Sequence, residues 1–267
     1  MRETLGLIAG NGTLPLLVSD GGRKEGYRLA AIGHIGETRK DLKRRVDVLK
    51  WVSVGQLEEI VRFFKEEKVK KIILAGAVPK THFFSRLRPD ARALKVLSRL
   101  RDKKDDAILR AIAEEMEGEG MEVVSPIRFL AEHLAWMGCW TERKPTEREE
   151  KDMAFGRELA RQMGALDVGQ SVVVKDQIIL AVEAIEGTDA AIRRGGKLGR
   201  GDVTVVKICK PNQDQRMDLP VIGPSTVRGL RKAGGALLAV EAGKTIVVNK
   251  DKVLEEANRN HLCLIGF

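Results

Sequence analysis

The densest chemistry in the chain lies between Lys207 and Asp218. An apolar run from Val203 carries Lys207 and Lys210 at its end and opens into PNQDQRMD, which holds Gln213, Asp214, Arg216 and Asp218 before apolar sequence resumes at Leu219. Packing between two core segments does not call for so many polar side chains. Open α/β sheets place their ligands in loops beyond the carboxyl ends of strands, so the position agrees with the composition. A carboxylate beside Lys and Arg stays ionised, ready to hold Mg²⁺ or to orient a water. The cations suit phosphate.

A second constellation lies in AVEAIEGTDAAIRRGG, where Glu183, Glu186 and Asp189 fall within seven residues. A strand ending at Glu183 points one carboxylate at the edge of the sheet. Thr188 or Asp189 caps the next helix, and Arg193 and Arg194 follow one turn along. Clustered oxygens of this kind hold Mg²⁺, whose shell takes one or two carboxylates together with substrate phosphate and water.

A third candidate is Gly10-Asn11-Gly12 directly after the first apolar run, where nucleotide-binding folds set a phosphate against backbone N–H groups. It is not a dinucleotide fingerprint, because Pro15 stands at the third glycine and Gly33-His34 ends the next strand without an acid. Nor is Gly243-Lys244-Thr245 a Walker A loop, since Leu238 replaces its first glycine.

The elements that must position these residues alternate. TLGLIAG, YRLAAIG, VDVLKWV and KKIILAG read as strands. LPLLVSDGGRKEG and GQLEEIVRFFKEEK read as helices, as does Ala91 to Glu119 with a break near Lys103 to Asp106. MEVVSP and a helix over IRFLAEHLAWMG close the half. This pattern predicts an α/β fold: a Rossmann-like parallel sheet over 1–138, a linker over 139–150 and a mixed α/β domain over 151–267. In the latter, SVVVKD and IILAVEAIEG pair through KDQ, and ALLAVEAG pairs with KTIVVNK through GKT.

Composition narrows the class. Apolar residues make up 43% of the 267, aromatics only 4%, and uninterrupted apolar runs such as Ile72 to Val78 fall far short of the roughly 20 residues of a spanning helix. The N-terminus lacks a secretory layout, which leads to the expectation of a mature, cytoplasmic chain. Cys139, Cys209 and Cys263 lie far apart without metal spacing, and His34, His82, His133 and His261 are equally scattered, so all are expected in structural roles. The net charge of +9 resides in 62–110, with 15 Lys and Arg against 6 Asp and Glu. Such a face, which also carries Phe63, Phe64, Phe83 and Phe84, attracts phosphate or an anionic membrane.

LGLIAGNGTLP, KKDDAILRAIAEEME, DQIILAVEAIEGTDAAIRR, KPNQDQRMDLPVIGPSTV and LLAVEAG, in this order, resemble the UDP-2,3-diacylglucosamine pyrophosphatase family of lipid A biosynthesis. The resemblance covers the whole chain and is most specific in EGTDA and QDQRMDLPVIG. It implies two α/β domains, Mg²⁺ dependence, and attack of water on the phosphorus nearer the glucosamine, giving 2,3-diacylglucosamine 1-phosphate and UMP. It implies that Asp218 is catalytic; Asp218 is expected to bind Mg²⁺ or to act as base toward the attacking water, and Glu183, from the acidic cluster above, to join it at the metal. Substrate contacts are then expected from Gly10, Asn11, Gly12, Asp105, Asp106, Glu186, Gly187, Thr188, Asp189, Lys207, Lys210, Gln213, Asp214 and Arg216. The expected partner is the lipid-linked UDP-sugar, with transient contact at the cytoplasmic face of the inner membrane; self-association is left open. An RNA-binding module using 62–110 and another nucleotide-sugar enzyme are the alternatives, the first opposed by the lack of an RNA-binding motif.

Overall fold

In this computed structural model the described residues are 2–77, 88–100, 105–211, 214, 216, 217 and 219–267, the side chains of Asp105 and Asp106 excepted. The chain divides into two compact units. The first comprises Met1–Ala131 and Asp214–Asp218, the second Glu132–Gln213 and Leu219–Phe267.

The first unit runs β1 (Thr4–Ala9), α1 (Leu14–Lys24), β2 (Arg28–His34), β3 (Val48–Val52), α2 (Leu57–Glu66), β4 (Lys71–Ala75), α3 (Ala91–Ser98), α4 (Asp105–Gly118) and β5 (Glu122–Val123). Its sheet has the order β3-β2-β1-β4-β5, parallel throughout, as the alternating pattern predicts. β1 and β2 are buried along nearly their whole length, which is why they read as unbroken apolar runs. α2 turns Leu57, Ile60, Val61 and Phe64 inward, with Glu58 and Glu59 in its first turn and Lys65 in its last, complementing the helix dipole. The loop segment carrying Met217 belongs to this unit, and Met217 is buried in its core.

The second unit runs β6 (Gly138–Cys139), α5 (Glu147–Ala165), β7 (Ser171–Lys175), β8 (Ile178–Val182), α6 (Thr188–Gly199), β9 (Val203–Lys207), β10 (Val221–Ile222), α7 (Pro224–Lys232), β11 (Gly235–Val240), β12 (Ile246–Val247), α8 (Lys250–Arg259) and β13 (Cys263–Gly266). Its main sheet is mixed, in the order β6-β13-β11-β9-β7-β8. The Thr146 hydroxyl and the Glu149 carboxylate start α5 by bonding each other's backbone N–H, at 3.3 and 2.8 Å. The expected KDQ hairpin is present. Asp176 and Gln177 take positive φ, and the fully buried Asp152 carboxylate accepts from both their N–H groups.

Three local expectations fail, and one helix was not expected. Cys139, expected to open a linker, pairs with β13 as an antiparallel edge strand, and its sulfur lies 3.9 Å from that of Cys263. IRFLAEHLAWMG is a 3-10 segment, Pro126–His133, followed by β6 rather than an α-helix. The GKT turn does not make a hairpin: Gly243 at φ 72° redirects the chain, so β11 pairs with β9 and β13 while β12 pairs with β10. Helix α8 went unforeseen because only Val253 and Ala257 of its ten residues are buried, too thin an apolar stripe to stand out.

Candidate functional site

Three elements of the second unit converge on one pocket. β8 ends at Val182 and is followed by the buried Glu183, which does not itself line the pocket. The chain turns through Glu186 to Gly187, whose φ of 83° sets the direction of α6, and Thr188 is the first helical residue. An added Cβ at Gly187 would meet nothing within 4 Å, so the glycine is required by its backbone angle, not by space. β9 ends at Lys207. A pocket of about 350 Å³ is lined by Glu186, Gly187, Thr188, Asp189, Lys207, Val221, Ser225 and Thr226.

A relay of hydrogen bonds runs from this wall inward. Lys207, only 4% exposed, donates from Nζ to the Thr188 hydroxyl at 2.8 Å, and that hydroxyl donates to Glu183 Oε1 at 2.9 Å. A buried ammonium is thereby held by a neutral hydroxyl whose proton is committed to a carboxylate. The N-termini of α6 and α7 both reach the pocket, and neither Gly187 nor Gly223 supplies a side-chain cap. In α7, Pro224 has no N–H and the Thr226 N–H bonds the Gly223 carbonyl at 3.0 Å, so the first-turn N–H groups of α6 and that of Ser225 stand beside the buried lysine as an anion site. The Glu186 carboxylate is held below its usual range by its own backbone N–H and by Arg194, 2.5 Å away.

For a metal, the described donor set is Glu183, Glu186 and Asp189. Glu183 is 7% exposed and its Oε2 is buried without a hydrogen-bond partner among the described residues, whereas Glu186 is occupied by Arg194. A spare buried carboxylate oxygen fits a hard cation, and Mg²⁺ needs only one or two such ligands. Among the described residues no three His, Cys, Asp or Glu group to hold a metal by themselves.

The other expected residues fall elsewhere. Lys210 is paired with Asp167 at 2.6 Å and does not line the pocket. Asp214 and Arg216 belong to the first unit. The Arg216 guanidinium grips Asp214 at 2.8 Å and Glu117 at 2.9 Å, which holds Asp214 well below the usual carboxylate range. Asp218 and Gln213 lie outside the described residues, as do Phe83, Phe84 and His82, and Asp105 and Asp106 are described in backbone only. Asp105 is the first residue of α4.

At the first glycine turn, the N–H groups of Gly10 and Asn11 donate to the Ala75 and Ala77 carbonyls, both at 2.8 Å. A Cβ at Gly10 would come within 2.6 Å of the Ala77 oxygen. Gly10 is therefore explained by the close approach of two turns, and two of the expected phosphate donors are already used. Gly12, at φ 87°, meets nothing nearby. Beside this turn the first unit contains an apolar cavity of about 250 Å³ lined partly by Gly10 and His34, which the sequence did not announce.

The basic stretch is less naked than its count suggests. Lys65 pairs with Glu119, Lys71 with Glu3 at 3.1 Å, and Arg92 with Glu58 at 2.7 Å and Glu119 at 2.6 Å. Lys68, Lys70, Lys95 and Arg99 are exposed and carry no ion pair among the described residues. No helix among the described residues is long and apolar enough to cross a membrane.

Ser225 and Thr226 were missed as pocket residues, although Gly-Pro-Ser-Thr carries a helix-start signature that could have found them.

Comparison with known proteins bears on both units. Residues 4–133 match the family model of the LpxI N-terminal domain, and residues 136–265 match that of the LpxI C-terminal domain. A curated protein of Caulobacter vibrioides, the UDP-2,3-diacylglucosamine pyrophosphatase LpxI, is 34% identical over 279 residues, spanning 100% of this chain and 98% of the relative. Among solved structures, the biotin carboxylase domain of a thermophilic 2-oxoglutarate carboxylase aligns at a TM-score of 0.28 and 14% identity, covering 65% of this chain and 35% of that one. The biotin carboxylase subunit of pyruvate carboxylase gives 0.27 and 13%, covering 70% and 39%. Those two likenesses are too slight to bear on fold or chemistry.

Proposed function

The chain belongs to the LpxI family, and we propose that it is a hydrolase that cleaves the diphosphate of UDP-2,3-diacylglucosamine to 2,3-diacylglucosamine 1-phosphate and UMP. The observation that carries this reading is the pocket in which a buried lysine, Lys207, stands beside two uncapped helix N-termini.

In this mechanism Lys207, the first-turn N–H groups of α6 and the Ser225 N–H of α7 take the phosphate oxygens, where charge accumulates as the anhydride breaks. Thr188 and Glu183 fix the direction of the ammonium. Glu186 and Asp189 bring negative charge to the rim of a phosphate pocket, an arrangement that a divalent cation reconciles. Glu183, with its spare oxygen, is the described residue to hold Mg²⁺, which when bound neutralises phosphate charge and lowers the pKa of water. Asp218 is assigned, from the sequence pattern before Leu219-Pro220, to bind that ion or to act as base toward the attacking water. Water attacks the phosphorus on the glucosamine side, and UMP leaves.

The test is UMP release from the diacylated substrate, with UDP-N-acetylglucosamine as control. Asp218→Ala abolishes release and leaves substrate binding largely intact. Near-normal turnover in that variant removes the assignment.

The exposed cations Lys68, Lys70, Lys95 and Arg99 support transient contact with the anionic cytoplasmic leaflet where the substrate resides, each Lys or Arg near such a surface being worth about 1 kcal/mol. Flotation with anionic liposomes, but not with neutral ones, is the expected result. Binding indifferent to lipid charge withdraws this contact.

A further inference from the structure

The pairing of β6 with β13 sets two thiols side by side. Cys139 lies opposite Ile265 in that antiparallel pair, and Cys263, two residues before Ile265, falls on the same face of the sheet. The sulfurs are 3.9 Å apart although the residues are 124 positions apart in the chain. A disulfide holds its sulfurs at about 2.05 Å. β6 is an edge strand of two residues with a neighbour on one side only, so it can close that gap without disturbing a second ladder.

The two thiols are unequal. Cys139 is half-buried, whereas Cys263 is wholly buried in the apolar cluster that holds Leu237 and Ala239. The Cys139 sulfur lies 3.5 Å from the carbonyls of Thr141 and Arg143 and 3.7 Å from the Thr141 hydroxyl. Burial pushes this thiol up, but the bonds to Thr141, the neighbouring Cys263 and the charge of Lys144 outweigh it and hold the thiol below its ordinary range. Burial and the adjacent Cys139 push the Cys263 thiol up to about 12, with the Arg143 guanidinium opposing. A reachable thiol that ionises readily, set against a buried one that does not, is the arrangement of an attacking and a resolving cysteine.

We propose that Cys139 and Cys263 are a site of reversible oxidation, at which a hydroperoxide converts Cys139 to its sulfenic acid and Cys263 closes it to a disulfide. The Cys139 thiolate takes one peroxide oxygen and gives up an electron pair as the O–O bond breaks. The other oxygen leaves as water or alcohol with the proton released on ionisation. The Cys263 sulfur then displaces the hydroxyl from Cys139, which departs as water with the Cys263 proton. A small dithiol reverses the bond by exchange and ends as a disulfide itself. The bridge fastens the first strand of the second unit to its last. Closing so long a loop restricts the unfolded chain more than a short one does, so the bridged protein unfolds at a higher temperature. The inference is independent of the reaction proposed above.

The test treats the reduced full-length protein with hydrogen peroxide and reads its unreduced peptides by mass spectrometry. A peptide pair joining Cys139 to Cys263 within one chain is expected, with two of the 3 thiols lost to titration and regained with dithiothreitol while Cys209 stays reduced. The bridged form should melt roughly 5 °C or more above the reduced form. In Cys263→Ala the same treatment should leave Cys139 as a sulfenic acid that dimedone traps, and the rise in melting temperature should vanish. Cys139→Ser, at the half-buried edge position, should leave Cys263 unoxidised, and it serves if Cys263→Ala misfolds. Thiols that survive the treatment, a sulfinic acid at Cys139 beside a free Cys263, or a bridge to Cys209 or to a second chain overturns the proposal. A bridge that leaves the melting temperature unchanged overturns its role in fastening the two strands.

Discussion

Lys207 at the end of β9 donates to the hydroxyl of Thr188, the first residue of α6, at 2.8 Å. That bond joins a strand end to a helix start and aims a buried cation at the pocket where both helix dipoles point. Thr188→Val removes the hydroxyl that links Lys207 to Glu183. The expected cost is about 1–3 kcal/mol of stability, from buried groups losing their partner, together with a fall in kcat of about tenfold or more. Thermal unfolding and steady-state kinetics check both. A variant unchanged in kcat shows that the relay does not position Lys207.

Mg²⁺ binding is read apart from turnover. Excess chelator should abolish UMP release, and Mg²⁺ should restore it. Added Mg²⁺ should also raise the melting temperature of the wild type, as any ligand of the native state does, but not that of Glu183→Gln. An equal rise in both proteins removes Glu183 from the metal site.

His34 makes stability fall with acid. Burial lowers its pKa from 6.5 to about 4, against a smaller opposing effect of Glu37. The unfolded chain then takes up a proton that the folded chain refuses, so stability falls as pH drops from about 6.5 toward 4, by up to roughly 3 kcal/mol. Denaturant melts at neutral pH and at pH 4.5 test this. His34→Gln should flatten the difference, and a slope equal to that of the wild type contradicts it.

Asp214 acts in the same sense, in more acid solution. Arg216 lowers its pKa, so the pair stabilises the fold above the ordinary carboxylate range and loses that contribution as pH falls below about 4. Because both side chains are partly exposed, Asp214→Asn should cost only about 1 kcal/mol at neutral pH and less in acid. A larger loss at low pH than at neutral pH runs against this.

The parallel sheet of the first unit was legible because its central strands β1, β2 and β4 are buried along nearly their whole length and α2 carries a regular apolar stripe. The EGTDA segment was legible for a different reason: glycine, threonine and acids at a strand end have few purely structural uses, and the pocket holds Glu186, Gly187, Thr188 and Asp189 together with Lys207. What sequence could not supply was partnership. Arg216, which looks like a phosphate ligand, is held by Asp214 and by Glu117, ninety-nine positions away. The glycine turn, which looks like a phosphate cradle, spends its N–H groups on β4 and its turn. His34 looked like one of four scattered histidines because only the fold places it in the wall of an apolar cavity.

The most direct test of the Lys207 pocket as the site of diphosphate hydrolysis is the reaction of UDP-2,3-diacylglucosamine in water labelled with heavy oxygen, followed by mass spectrometry for the wild type and Lys207→Met. The wild type should yield UMP without label and 2,3-diacylglucosamine 1-phosphate carrying it, and Lys207→Met should slow this by about a hundredfold or more. Label in UMP, or UMP formed as fast by Lys207→Met as by the wild type, would contradict it.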